Sequence, residues 1–71
     1  MILNKLSEIL GRKRIKMSEL ARMTGLARQS VFEFYHDKNK AVKFETLNKI
    51  CWALECKVED ILEYVPDKET P

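Results

Sequence analysis

From residue 17 to residue 36 the chain reads as two short amphipathic segments hinged at one glycine, MSELARMTGLARQSVFEFYH, and few folds accommodate that pattern. Leu20 and Ala21 share one side of the first segment, and Val31 and Phe34 share one side of the second, at helical spacing. Gly25 stands between them, where a sharp turn needs a positive φ that glycine adopts at no steric cost. Isolated helices below about 12 residues are marginal in water, so both segments must be held by packing. The small Ala21 lets them approach closely, and Leu26 buries the turn.

The flanks predict three more helices around this pair. Leu3, Leu6 and Leu10, at spacings of three and four, predict a first helix over about residues 3–13, with Ile2 and Ile9 broadening its core stripe. Ile15 packs as an entry residue before the second helix, residues 17–24, whose N-cap position falls on Lys16, a side chain with no acceptor. The third helix covers about residues 27–36, and residues 37–43, DKNKAVK, make a polar basic loop. Phe44, Leu47, Ile50, Cys51 and Leu54 align on one face of a fourth helix, residues 44–54. Val58, Ile61 and Leu62 add a fifth short helix over about 58–63. Trp52 follows Cys51 and is therefore turned about 100° away, toward the rim. The expected architecture is all-α: a compact five-helix domain over residues 1–65, followed by a flexible tail over 66–71.

Size and composition exclude several classes. A chain of 71 residues has one modest core and no room for a large catalytic cleft. No apolar run approaches the roughly 20 residues needed to span a bilayer, and the charged start MILNKLSEIL has no cleavage signal. The expected location is cytoplasmic, with no membrane partner. One histidine, no carboxylates paired at workable spacing and no glycine-rich phosphate loop leave nothing for acid, base or nucleophilic work. No catalytic residue, cofactor or small-molecule substrate is therefore expected. Cys51 and Cys56 read as free buried thiols, and no metal is expected, since four ligands are needed and His36 is remote in sequence.

Charge is strongly polarised along the chain. Residues 12–43 carry nine basic side chains against three acidic ones, a balance of +6, while the remainder carries four against eight, or −4. Such a segment suits a polyanion, because phosphate neutralisation and counterion release supply most nonspecific nucleic-acid affinity, and charge alone leaves a solvated lysine-rich surface equally open. Within it, Ala27, Arg28, Gln29, Ser30 and Glu33 point away from the apolar side of the third helix. Short hydrogen-bonding side chains at a helix start can be laid against base edges in a major groove.

Leu20-Ala21, Gly25-Leu26, Val31 and Phe34, followed by the basic loop and TLNKICWALECKVEDILEY, resemble the Cro and phage-repressor (lambda-repressor-like) helix-turn-helix family over about residues 3–65. The resemblance implies that the second and third helices form the helix-turn-helix and that the third reads base pairs. Ala27, Arg28, Gln29, Ser30 and Glu33 would then be base-contacting, with Arg28 bidentate to guanine, Gln29 to adenine and Ala27 against a thymine methyl. Arg12, Met17, His36, Lys38, Lys40 and Lys43 would lie beside phosphates. The implied function is a transcriptional regulator of double-stranded DNA, a repressor acting by promoter occlusion as a homodimer on an inverted repeat. Trp52 and Tyr64 are the candidate dimer contacts. The alternative is a protein-interaction module of antitoxin or anti-repressor type, favoured by Phe32, Tyr35 and Trp52. Arg14 stands where relatives commonly have a glycine. Phe32 and Tyr35 stand where relatives often have polar residues, and three roles are open to them: satellite core, contact with the DNA backbone, or subunit interface.

Overall fold

The computed structural model describes residues 1–38 and 41–66. Its core forms where helices contribute side chains closed to water: Leu6 from α1 (Leu6–Lys13), Leu20 from α2 (Met17–Thr24), Val31 from α3 (Arg28–Tyr35), Ile50 from α4 (Phe44–Leu54) and Ile61 from α5 (Val58–Ile61). α2 packs against both α3 and α4, and α1 packs against α5 and α3. Lys40, and the expected tail beyond Pro66, lie outside the described residues.

The all-α expectation needs correction at both ends of the chain. Residues 2 and 3 are not the first turn of α1, and Ile2 and Leu3 are exposed rather than core. Ile2–Asn4 is a strand, β1, paired antiparallel with β2 (Leu62–Tyr64) in the register Ile2↔Tyr64, Leu3↔Glu63, Asn4↔Leu62. Asn4 explains the change. Its side-chain oxygen accepts the Leu6 N–H at 2.9 Å, the local turn that Asn favours, and so sets the helix start two residues later. Its amide donates to the Phe34 carbonyl at 2.7 Å, which ties β1 to the end of α3. The ladder continues past the strands, with the Lys5 N–H on the Ile61 carbonyl at 2.6 Å and the Val65 N–H on the Met1 carbonyl at 2.8 Å. Lys5 Nζ and Glu63 Oε1 add an ion pair at 3.6 Å. The fifth helix accordingly stops at Ile61, because Leu62 is already extended at φ −125°, ψ 142°.

Two further side chains differ from expectation. Phe44, placed on the inward face of α4, is 90% exposed, and Val58 is also exposed. Phe44 is the first residue of α4, and helical side chains lean toward the N-terminus, so its ring projects past the helix end while Leu47, Ile50 and Leu54 cover the core. At α2, the weak cap Lys16 is offset by Glu19, whose carboxylate accepts the Lys16 N–H at 3.3 Å. This is half of a capping box; the ammonium of Lys16 has no acceptor to complete it.

α1 and α4 end on C-caps in the left-handed region without being glycine, Arg14 (φ 55°) and Glu55 (φ 50°), and Asp37 (φ 56°) takes the same conformation one residue past the C-cap of α3. Each turn closes by two amides reaching back, as where Arg14 donates to the Gly11 carbonyl and Ile15 to the Leu10 carbonyl. A β-carbon in that conformation costs roughly 1–2 kcal/mol. Arg14→Gly is therefore expected to stabilise the domain by about 1 kcal/mol, read as a rise in Tm of roughly 4–8 °C. A fall in Tm would mean that the Arg14 side chain contributes more than its backbone strain costs.

Cys51 and Cys56 are free thiols, half-buried where α4 meets the turn to α5. Burial, reinforced by the neighbouring Cys51, pushes the Cys56 thiol up to about 11. At about pH 8 the thiolate of Cys56 is then far scarcer than that of an ordinary cysteine. Iodoacetamide labelling of Cys56, mapped by mass spectrometry, is expected to be slow at that pH and to rise about tenfold per pH unit toward pH 10. Labelling at the rate of free cysteine at pH 8 would contradict the assignment.

Candidate nucleic-acid interface

The turn between α2 and α3 is fixed by hydrogen bonds from Gly25 and through the Thr24 hydroxyl. The Gly25 N–H (φ 74°) donates to the Ala21 carbonyl at 2.9 Å. The Thr24 hydroxyl donates to the Leu20 carbonyl at 2.7 Å and accepts the Leu26 N–H at 3.3 Å. α3 then starts without a side-chain cap, because Ala27 occupies the N-cap position at φ −65°, ψ 143° and offers no acceptor. Val31 and Phe34 bury the inner side of α3, and Tyr35 packs at the edge of the core.

The opposite side of α3 carries the candidate base-contacting set. Ala27, Arg28, Gln29 and Ser30 are exposed and Glu33 is half-buried. Four of them, all but Ala27, divide between two grooves. Arg28 and Gln29 line a groove of about 400 Å³ with Lys16, Met17, Ser18 and Phe32, between the start of α2 and the outer side of α3. Ser30 and Glu33 open instead onto a groove of about 370 Å³ shared with Lys43 and Thr46 of the neighbouring helix start.

The candidate phosphate-contacting residues are more scattered. Met17 is half-buried against the core at the start of α2, and Lys43 is exposed at the N-cap of α4. His36, at the C-cap of α3, is exposed, with its ring 4.4 Å from Phe32 and 4.9 Å from Tyr35 between centroids. Lys38 is exposed, its Nζ 5.8 Å from the centre of the Phe32 ring. Arg12 stands apart, in a groove with Ile9, Lys13 and Asp60. Trp52 is 74% exposed on the outer side of α4, and Tyr64 is exposed on β2. Among the described residues no group of three or more His, Cys, Asp or Glu is gathered as a metal site, and no helix is long and apolar enough to cross a membrane.

Lys16 and Ser18 are not among the residues expected at the site, and Phe32, for which core, DNA backbone and subunit interface were all open, lines the groove of Arg28 and Gln29. The signal for Phe32 was present, since it lies four residues after Arg28 and three after Gln29, the spacings at which helical side chains touch.

Residues 5–67 match the family described as the Cro/C1-type HTH DNA-binding domain. The chain is also 33% identical over 69 residues to the uncharacterized HTH-type transcriptional regulator YozG of Bacillus subtilis (strain 168), covering 97% of this chain and 82% of that protein. It is 30% identical over 57 residues to YopS of the same organism, an SPbeta prophage-derived uncharacterized HTH-type transcriptional regulator, covering 80% of this chain and 77% of that one.

Proposed function

The chain belongs to the Cro/C1-type HTH DNA-binding domain family, and from that membership we propose a sequence-specific transcriptional regulator in which α2 and α3 are the helix-turn-helix and α3 is the reading helix. One observation carries the assignment. α3 is anchored by buried Val31 and Phe34 while Arg28, Gln29 and Ser30 stand exposed in its first turn, so a rigid helix presents hydrogen-bonding side chains at the end that enters a major groove. The names of YozG and YopS support regulation of transcription as the use of that binding.

Within this reading the protein is a repressor that binds an inverted repeat as a homodimer and blocks polymerase by occupying the promoter. Two copies bound one helical turn apart cover one face of the duplex. Trp52 and Tyr64 are the proposed dimer contacts, because large exposed aromatics are often interface anchors. A chain that stays monomeric at high micromolar concentration, with Trp52→Ala unchanged in size and DNA affinity, would remove the dimer.

Selection of bound duplexes from a random pool at about 150 mM salt tests the whole reading, since nonspecific phosphate binding weakens there. The expected result is an enriched inverted repeat with half-sites about 10 base pairs apart. A single enriched half-site would retain sequence reading and remove the dimer. No enrichment, with binding lost as salt rises, would overturn sequence-specific regulation in favour of a protein partner.

A further inference from the structure

We infer that Phe32 is a specificity-determining residue: with Met17 it forms an apolar cup that receives the C5-methyl of a thymine beside the bases met by Arg28 and Gln29. The inference rests on the reading of α3 as the DNA-reading helix. Phe32 is 40% exposed and does not belong to the set packed on the core, which leaves its ring available at the surface. The ring is nonetheless held in place by the His36 ring, 4.4 Å away one turn later. It lines the 400 Å³ groove together with Lys16, Met17 and Ser18 at the start of α2 and with Arg28 and Gln29 one turn earlier on α3.

That position selects the ligand group. In the major groove the base edges present hydrogen-bond donors and acceptors, and thymine adds one apolar group, its methyl, for which phenylalanine is a suitable contact. The C5 position of a pyrimidine faces the backbone edge of the major groove. A ring that shares one groove with the start of α2 and with the base-reading pair one turn earlier on α3 is placed to meet that edge. Burying a methyl against an aromatic ring favours thymine by about fourfold in affinity per half-site.

The test removes the methyl and leaves every hydrogen bond intact. In the duplex enriched by selection, each thymine is replaced in turn by deoxyuridine, and binding of the full chain is measured. The expected result is one position per half-site where the wild-type protein loses about fourfold. Phe32→Gln, which suits an exposed helical position, and Phe32→Ala should both bind the thymine and uracil duplexes equally there. Met23→Ala, on the exposed side of α2 and outside both grooves, should keep the discrimination. A wild-type protein indifferent to uracil at every thymine overturns the inference while leaving the selected site, and hence the function, standing. So does an equal loss on thymine and uracil duplexes in both Phe32 variants with wild-type discrimination intact, which would assign the ring to the sugar-phosphate backbone. A selection that enriches no duplex overturns the function itself and the inference with it.

Discussion

Leu20→Ala is expected to destabilise the domain by about 2–5 kcal/mol, the range for deleting a leucine side chain from a closed core. Leu20 is fully buried, on the helix that packs against both α3 and α4, so neither neighbour can move in to fill the space without losing contacts of its own. A chain of 71 residues has a total stability of roughly 4–10 kcal/mol, so the variant should lose a large part of it. The urea midpoint should fall while the slope of the transition stays unchanged, because the surface exposed on unfolding is nearly the same. Met23→Ala, on the exposed side of the same helix, should stay within about 0.5 kcal/mol of the wild type. Equal effects of the two substitutions would mean that α2 is not seated as described.

The contrast between Leu20 and Met23 also marks what a sequence of this kind makes legible. Spacing of apolar residues found α2, α4 and the buried positions of α3, because a helix that must bury one side writes its period of 3.6 into the chain. The same rule misread both ends. Ile2, Leu3 and Leu6 fit a helical stripe, yet a three-residue strand has too few positions to show a period of two against it, and its partner lies sixty residues away. What separated strand from helix was one polar side chain, Asn4, whose two hydrogen bonds depend on where Phe34 and Leu6 come to lie. Phe44 was misplaced for a related reason: periodicity gives the side of a helix and not how far its first residue overhangs the end.

The candidate site divides in the same way. Exposure of Arg28, Gln29 and Ser30 followed from the burial of Val31 and Phe34, since residues on one helix fix each other's direction. The 400 Å³ groove did not follow, because it is made by two helices and its shape depends on how Gly25 and Thr24 set the angle between them. Lys16 and Ser18 join that groove through the angle, whereas Phe32 is beside Arg28 and Gln29 by helical spacing.

Base-reading and phosphate-contacting roles predict opposite patterns of loss. Arg28→Ala and Gln29→Ala are expected to cost about 1–3 kcal/mol each on the selected duplex, roughly 5- to 150-fold, and little on an unrelated one, because a bidentate contact to guanine or adenine exists only at the right base pair. Each should also relax the preference at a single position of the half-site when the selection is repeated. Lys38→Ala and Lys43→Ala, both exposed beside α3 and α4, should weaken selected and unrelated duplexes by the same factor and reduce the slope of log affinity against log salt by about one. In a dimer every substitution acts twice, so losses on an isolated half-site give the single-contact values and losses on the full repeat should approach their square. The salt slope is the sharper discriminator, since it counts phosphates neutralised and is insensitive to overall stability. If all four variants lowered affinity uniformly and moved the slope alike, α3 would be a basic surface laid along the backbone, and the reading element would have to be sought elsewhere in the chain.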